Sequence, residues 1–300
     1  MQSKNFDVIV IGGSYSGLSA GMALGRSLRN VLIIDEGKPC NRQTPHSHNF
    51  ITHDGKTPKE ITELAKKDVE KYESVQFCDG KVIRVGKHID GFYAELSSGD
   101  TLYAKKMILA SGVKDIMPEI PGFAECWGIS VIHCPYCHGY EVRNEVTGIL
   151  ADGDMAYEFS KLVFNLTKEL TLFTNGKTTL SSEQIEKLKQ NKIHLNEDEI
   201  KSIEHENGYT QKVIFTNGKT ISLKALYAKI PFEQNINILD LGCELTEHGF
   251  IKVDFMQRTS VSGVFACGDN TTMMRSVANA VAQGNFAGAM VNKELSEEAF

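Results

Sequence analysis

The order of apolar and mixed segments along the chain predicts a repeated α/β plan. An apolar strand over 6–11 ends in Gly12-Gly13, a helix is predicted over 18–28, and a second buried strand is predicted over 31–34. This strand–turn–helix–strand order is how a doubly wound parallel sheet begins.

The clearest single helix is predicted over 57–72. Thr57 is its expected N-cap, Pro58 occupies the first helical position, and Glu60 completes a capping box. The apolar residues recur at helical spacing: Ile61, Leu64, Ala65, Val69 and Tyr72.

An antiparallel meander follows, and then the whole order repeats. The first copy has strands over 81–85, 92–96 and 101–104 with turns at Asp90-Gly91 and Ser98-Gly99, followed by a buried strand over 107–110. The second copy has strands over 147–151 and 170–173, helices over 155–166 and 183–189, and a meander over 201–205, 211–216 and 220–223. Two copies of one plan favour two related nucleotide-binding-type domains, although ordinary α/β alternation is the alternative.

Linkers are predicted at 118–122 and near Pro231. The segment after Pro231 holds a strand over 264–266 and a long helix from about Ser276 to Leu295, which is too little for a separate domain. We therefore expect this segment to return and complete the first domain.

Composition narrows the class of protein. The 300 residues are 41% apolar and 23% charged with a net charge of −6, which is typical of a globular protein and argues against a broad nucleic-acid-binding face. No apolar run approaches the roughly 18 residues of a membrane span, and residues 1–7 do not resemble a signal peptide. A cytoplasmic location without membrane contact is the expectation.

The odd number of cysteines does not fit the disulfide framework of a secreted protein. The seven are Cys40, Cys78, Cys126, Cys134, Cys137, Cys243 and Cys267. Only Cys134 and Cys137 form a close pair, and in a reducing cytoplasm a disulfide is usually catalytic.

The loop after the first strand nearly matches a dinucleotide fingerprint. Gly12 permits the tight turn and Gly17 the close helix packing, while Gly13 and Ser14 lie between them and Ser14 replaces the usual middle glycine. The helix amino terminus would face the phosphates. Asp35, at the end of the second strand, could accept hydrogen bonds from a ribose diol, which suits FAD or NAD better than NADP.

A second glycine–aspartate motif ends the strand before the last helix. Gly268 admits close backbone approach and Asp269 could bind a hydroxyl of a ribityl chain, although a plain turn with an aspartate is the alternative.

Taken together, these motifs resemble the thioredoxin-reductase-like flavoproteins over essentially the whole chain. The resemblance rests on residues 12–17, Ala110-Ser111-Gly112 with Pro118 and Pro121-Gly122, the Cys134/Cys137 pair, and residues 263–269. It implies two nested Rossmann-like, doubly wound, three-layer domains in a homodimer. An FAD-binding domain would comprise 1–117 plus 232–300, and a redox-disulfide domain would comprise 118–231.

The same resemblance implies roles for single residues around FAD. Asp269 resembles the ribityl-binding aspartate, and Arg275, Ser276 and Val277 resemble the segment that meets the flavin pyrimidine edge, where a helix amino terminus would stabilise negative charge. Gly112 belongs to the flavin-domain motif, and Arg42 and Asn49 resemble residues that approach the flavin.

The resemblance makes Cys134-Pro135-Tyr136-Cys137-His138 the reaction centre. Cys137 would face the flavin, Cys134 would exchange with the substrate, and a helix start would favour the thiolate. His138 stands where NADPH-dependent thioredoxin reductases usually have an aspartate, and it could move the thiol proton. This departure resembles a branch that includes the dithiol oxidases of small natural products such as gliotoxin and holomycin.

Other interpretations of this cysteine segment remain open. A c-type haem attachment, a zinc site that includes His133 and His138, and plain buried cysteines are the three alternatives. His46, His48 and His53 form a loose cluster in the flavin-side loop, with either a supporting or substrate role or simple solvation.

The second domain lacks an intact nucleotide loop. Ala151 replaces its first glycine, Asp152 adds a negative charge where pyrophosphate would lie, and only Lys177 remains near the place of an arginine cluster. We therefore expect efficient NADPH binding to be lost.

The sequence thus predicts an FAD-dependent thiol–disulfide oxidoreductase of thioredoxin reductase type that passes electrons between the Cys134–Cys137 disulfide and FAD. An NADPH-dependent thioredoxin reductase and a non-catalytic dinucleotide-binding sensor are the alternatives. The expected partners are a thioredoxin-like protein or a small dithiol or disulfide, with ferredoxin or oxygen as the other electron partner.

Overall fold

The computed structural model describes residues 5–300 and divides them into two compact units. The first unit comprises residues 5–42, Phe50–Asp115 and Phe232–Phe300, and the second comprises Gln43–Asn49 and Ile116–Pro231. Residues 43–49 group with the second unit, although the sequence prediction placed them in the FAD-binding domain.

The chain up to Asp115 supplies most of the first unit. Its elements are strands β1 (Asn5–Ile11), β2 (Val31–Asp35), β3 (Val75–Asp79), β4 (Val82–His88), β5 (Gly91–Leu96), β6 (Thr101–Leu109) and β7 (Val113–Asp115), with helices α1 (Tyr15–Arg26) and α2 (Pro58–Val69). Thr57 caps α2 through both bonds of a capping box, as predicted.

The second unit follows from Ile116. Its elements are helices α3 (Phe123–Cys126), α4 (Pro135–His138), α5 (Gly153–Phe164) and α6 (Ser182–Gln190), and strands β8 (Val131–Ile132), β9 (Thr147–Leu150), β10 (Leu170–Phe173), β11 (His194–Asn196), β12 (Ile200–Glu206), β13 (Tyr209–Phe215), β14 (Thr220–Ser222) and β15 (Ala225–Ala228).

The chain then returns to the first unit. The returning elements are β16 (Phe232–Gln234), a 3₁₀ turn at Leu239–Leu241, β17 (Val264–Ala266) and α7 (Val277–Ala299).

The first unit is built on a seven-stranded sheet. Its path is β3-β2-β1-β6-β5-β4, and β17 also pairs with β6. The strands β1, β2, β3, β6 and β17 pair with one another in parallel, and β5 and β4 continue from β6 as an antiparallel meander. One apolar core joins the sheet to α1 and α7, and a second core fills the opposite face under the meander. The result is the three-layer, doubly wound architecture that the sequence predicted.

The second unit repeats the parallel plan on a smaller scale. Its five-stranded sheet has the order β11-β10-β9-β15-β8, and the meander forms a separate sheet, β12-β13-β14. One face of the parallel sheet packs under α5 and α6, and the other packs against the meander and α3.

The structure corrects several predicted elements. The strands expected at 101–104 and 107–110 are one continuous strand, β6, and the helix expected over 18–28 is α1, which starts at Tyr15 and ends at Arg26. The left-handed backbone of Leu28, with φ of 58°, lies beyond the end of α1. The sequence pattern does not predict the short elements β3, β7, β8, β11, β15, β16 and α3. Among residues 5–300, no helix combines the length and apolar character needed to cross a membrane.

Candidate functional site

The loop between β1 and α1 in the first unit has no room for side chains at its glycines. A Cβ on Gly12, which has φ of 105°, would lie 2.2 Å from the Ala110 carbonyl oxygen, and one on Gly17 would lie 1.8 Å from the Gly12 carbonyl oxygen. Ser14 is the N-cap of α1, but its side chain makes no capping bond, and the first turn of α1 has no acidic residue. The amino-terminal N–H groups of α1 therefore remain suited to an anion such as pyrophosphate.

Asp35 is fixed beside this loop at the end of β2. The Gly13 N–H donates to one carboxylate oxygen at 2.9 Å, and the Gly37 N–H donates to the other at 3.2 Å. The carboxylate is therefore oriented by backbone groups and retains lone pairs for further donors. A cradle that a Cβ would fill, next to a fixed carboxylate, fits the adenosine and pyrophosphate part of FAD.

The glycine–aspartate motif after β17 carries a charged network within the first unit. The Arg275 guanidinium donates two hydrogen bonds to Asp115, at 2.7 and 3.1 Å, and its Nε lies 3.4 Å from an Asp269 oxygen. The Cys40 sulfur lies 3.6 Å from the same Asp269 oxygen. Burial raises the pKa of Asp269, and the Arg275 charge opposes that rise.

The other predicted flavin-side residues have distinct local roles. Ser276 caps α7 by accepting the Asn279 N–H at 3.2 Å, and Val277 begins that helix. Gly268 has φ of 91° and donates its N–H to Gln283 at 2.8 Å. Gly112 has φ of 63° and open space where a Cβ would be, with only the Asn235 amide near.

Arg42 and Asn49 fall in different units. The exposed Arg42 donates to the Pro39 carbonyl at 3.2 Å in the first unit, and Asn49, with φ of 59°, ends the short segment that belongs to the second unit. Their predicted approach to a flavin stays a prediction.

The redox pair lies in the second unit directly after β8. A disulfide joins Cys134 to Cys137, with the two Cα atoms 5.3 Å apart. Cys134 is the N-cap of α4, and its sulfur accepts the Cys137 N–H at 3.2 Å. Because α4 has only four residues, its dipole is weak. The hydrogen bond from the Cys137 N–H is therefore the main feature that would stabilise a thiolate on Cys134.

His138 ends α4 and meets two partners that the sequence analysis did not link to it. Its ring centroid lies 6.4 Å from that of His48 in an edge-on arrangement, and His48 Nε2 lies 3.6 Å from a Glu141 oxygen. Burial lowers the pKa of His138, the charge of His48 lowers it further, and Glu141 opposes both effects. His138 is therefore neutral and able to accept a proton near pH 7.

The loop between β9 and α5 contains an aspartate, Asp152, that is hydrogen-bonded to the segment after β10. Asp152 accepts hydrogen bonds from the Thr178 hydroxyl at 2.8 Å and from the Thr179 hydroxyl at 2.7 Å, and it also accepts the Thr179 N–H. Burial alone would raise the pKa of Asp152, but the hydrogen bonds from Thr179 and Thr178 lower it overall. A fixed negative charge therefore lies at the mouth of this loop.

The segment after β10, where an arginine cluster for a 2′-phosphate is missing from the sequence, contains Asn175 and Lys177. The Asn175 side-chain oxygen accepts the Ile200 N–H at 2.7 Å, and Lys177 is exposed. Among residues 5–300, no group of three or more His, Cys, Asp or Glu side chains is arranged to hold a metal ion.

Comparison with known proteins places the chain in a family. Residues 6–284 match the family model described as pyridine nucleotide-disulphide oxidoreductase. A thioredoxin reductase of Claviceps purpurea, tcpT, is 34% identical, and the match covers 98% of this chain and 96% of that protein.

Solved structures extend the similarity to the whole fold. A Bacillus anthracis protein described as a thioredoxin reductase, TrxB, has a TM-score of 0.94 at 32% identity, covering 98% of this chain and 100% of its own. An oxidoreductase of Agrobacterium tumefaciens has a TM-score of 0.91 at 36% identity, covering 98% of this chain and 99% of its own.

The two Rossmann-like units and the redox disulfide define a nucleotide-binding redox protein. The chain belongs to the pyridine nucleotide-disulphide oxidoreductase family. It is a flavin-dependent disulfide oxidoreductase of the thioredoxin reductase type, which confirms the predicted class of enzyme.

Some residues of the site carry no local signal in the sequence. Asp115 lies 160 residues from its partner Arg275. His48 was noticed only as a loop histidine, and Glu141 was not noticed at all. A repeated pattern reveals elements, whereas these contacts depend on the folded chain.

Proposed function

We propose that this protein passes electrons between the Cys134–Cys137 disulfide and FAD, and that it makes little use of NADPH. The weak use of NADPH is inferred from the Asp152 carboxylate, which accepts hydrogen bonds from Thr178 and Thr179 in the loop between β9 and α5. A nicotinamide dinucleotide would bring its pyrophosphate towards this negative charge, and like charges repel.

The first-unit residues support FAD as the bound cofactor. Gly12, Gly17 and Asp35 would hold the adenosine and pyrophosphate part, and Asp269 would bind a hydroxyl of the ribityl chain. FAD, when bound, supplies a two-electron acceptor and donor.

The cysteine residues carry the exchange with the substrate. Cys134 forms the mixed disulfide, and the Cys137 N–H stabilises negative charge on the Cys134 sulfur when it is released. Cys137 is the cysteine that exchanges electrons with FAD. His138, which is neutral near pH 7, accepts or returns the thiol proton.

The substrate would be a thioredoxin-like protein or a small dithiol or disulfide, with ferredoxin or oxygen as the second electron partner. The relatives' name, thioredoxin reductase, supports the first of these. The five cysteines outside the pair are unbridged, which supports a reducing compartment such as the cytoplasm. We also infer a homodimer from the family resemblance.

Anaerobic reduction of the bound flavin by a dithiol tests the electron path. Dithiothreitol should bleach the flavin band of the wild-type protein, and Cys137→Ser should abolish the bleaching. Cys134→Ser should retain its thiolate next to the flavin and show long-wavelength absorbance. If that absorbance appears only in Cys137→Ser, the roles of the two cysteines are reversed.

An NADPH-dependent thioredoxin reductase is the second candidate, and the names of the relatives favour it. Rapid bleaching of the flavin by NADPH would support this candidate and contradict the proposed loss of the nicotinamide site.

A further inference from the structure

Three ionisable side chains from two separate segments meet next to the redox disulfide. His138 follows Cys137 in α4, Glu141 lies three residues further on, and His48 comes from the segment Gln43–Asn49. The His48 ring lies edge-on to the His138 ring, at 6.4 Å between centroids and 87° between planes. His48 Nε2 lies 3.6 Å from the Glu141 carboxylate, so His48 is close to both other side chains.

The position of His48 is fixed by the packing of its own segment within the second unit. The Gln43 amide donates to the carbonyl oxygens of Ala124 and Trp127, at 3.3 and 3.2 Å. Thr44 and Ser47 are buried on either side of the exposed His46. Because Gln43 is hydrogen-bonded and Thr44 and Ser47 are buried, the segment is packed in the second unit and presents His48 to α4.

Few other ionisable groups reach this cluster. The His46 ring centroid lies 6.4 Å from that of His48, on the side where His46 is exposed. Tyr227 lies in the core under α4, and burial together with the Glu141 charge raises its pKa, so the phenol stays protonated. The histidines and Glu141 are therefore the groups of this cluster that can exchange a proton near neutral pH.

We propose that His48 and Glu141 are positioning residues that relay the thiol proton between His138 and solvent. The proposal rests on the proposed function, because it needs thiol–disulfide exchange at Cys134–Cys137. The relay gives a function to the segment Gln43–Asn49, which groups with the second unit.

The relayed proton comes from a balanced exchange. A substrate thiol gives its proton to His138, which passes it outward through His48 and Glu141, and the resulting thiolate attacks the Cys134 sulfur. The Cys134–Cys137 bond breaks, and its electron pair leaves on Cys137. The second substrate thiol gives its proton to His138 and attacks the mixed disulfide, and Cys134 leaves as a thiolate. Two electrons pass from the dithiol to the cysteine pair, which ends as two thiolates, and His48 and Glu141 carry the two protons outward in turn. Disulfide reduction runs the same steps in reverse.

The pH profile of anaerobic flavin reduction by dithiothreitol tests this relay in the holoprotein. His48→Gln and Glu141→Gln should each slow the reaction about 10-fold. This is less than the roughly 100-fold or more that a general base itself contributes, because His138 remains in place in both variants. His48→Gln should also move the acid limb of the profile to higher pH. The reason is that His138 loses a repelling charge, so its pKa rises and it is protonated at a higher pH.

Matched controls come from exposed residues of the same unit. Glu145→Gln and His194→Asn should leave both the rate and the acid limb unchanged, because both residues are exposed and lie outside the cluster. Circular dichroism spectra would establish that all four variants are folded.

Two results would overturn the relay. One is wild-type rates in both His48→Gln and Glu141→Gln, and the other is a uniform loss at every pH with an unmoved acid limb, which a purely structural role would give. If dithiothreitol fails to bleach even the wild-type flavin, the proposed function itself fails.

Discussion

Replacing Asp115 with asparagine removes the main partner of a buried arginine. The Asp115 and Arg275 side chains are only 6% and 13% exposed, and two hydrogen bonds join them at 2.7 and 3.1 Å. In Asp115→Asn the amide oxygen can still accept a hydrogen bond, but its negative charge is gone, and the carboxylate that remains beside the guanidinium is that of Asp269, at 3.4 Å. A buried positive charge is then left largely uncompensated.

The expected loss follows from this burial. Removing one partner of a buried ion pair costs about 3–5 kcal/mol, because the remaining charge stays desolvated. Since Asp269 still neutralises part of the charge, we expect the lower end, about 3 kcal/mol. For a unit of this size that corresponds to a decrease in Tm of roughly 6–12 °C.

An exposed pair of the same two residue types provides the control. Arg84 and Asp240 lie in the same unit, 3.4 Å apart, with side chains 59% and 44% exposed. Asp240→Asn should therefore cost about 0–1 kcal/mol. Thermal and urea unfolding of both holoprotein variants, followed by far-UV circular dichroism, gives the comparison.

The comparison of these two variants can refute the reasoning. Equal small losses in Asp115→Asn and Asp240→Asn would mean that burial of the Asp115–Arg275 pair does not set its contribution. A stable Asp115→Asn protein that also retains its flavin would show that Arg275 does not need this carboxylate.

Three further predictions concern the two nucleotide loops. Gly17→Ala should abolish FAD binding, measured by flavin content after purification, because its Cβ would lie 1.8 Å from a backbone oxygen. Gly80→Ala is the control and should be tolerated, because the atom nearest to its Cβ is a Leu96 methyl group at 3.4 Å. Asp152→Gly should raise the affinity for NADPH, measured by calorimetry, by removing the charge at the second loop; unchanged affinity would assign the loss to other residues. The hydrogen bonds to Asp152 lower its pKa, so their stabilisation is present above the ordinary aspartate pKa near ~3.9 and is lost as the pH falls through the lower folded value. The Tm difference between wild type and Asp152→Asn should therefore vanish in acid, and a difference that persists there would contradict this cause.

Local pattern was sufficient to predict elements whose signals lie close together in the sequence. The capping box at Thr57 and Glu60 predicted α2, and the Gly12–Gly17 loop predicted the β1–α1 turn. The Cys134–Cys137 spacing marked the pair that the structure joins as a disulfide.

The split of β6 into two predicted strands was wrong for a physical reason. Lys105 and Lys106 interrupt the apolar pattern, but the Lys106 side chain is only 7% exposed and pairs with Glu294 and Glu298 of α7. The helix that neutralises the Lys106 charge is far away in the sequence, so the neighbouring residues do not indicate that this lysine can be buried in a strand. The strand therefore continues where the pattern indicates an end.

The site was predictable only as far as its motifs are contiguous. The sequence identified Asp269 and Arg275 but not Asp115, and it identified His138 but not its pairing with His48 and Glu141. These contacts are created by the chain returning to the sheet and by the short segment before Phe50 joining the second unit. Neither event leaves a periodic signal.

Anaerobic reduction of the wild-type flavin by four donors in parallel tests the central claim most directly. NADPH, NADH, a dithiol and reduced ferredoxin are mixed separately with the holoprotein, and the flavin absorbance is followed in time. We expect the dithiol to bleach the flavin. The reaction with reduced ferredoxin shows whether electrons can also reach FAD without passing through the Cys134–Cys137 disulfide. NADPH and NADH should act more slowly than the dithiol or not at all, because the Asp152 charge opposes their pyrophosphate. Bleaching by NADPH at the rate of the dithiol would contradict the account.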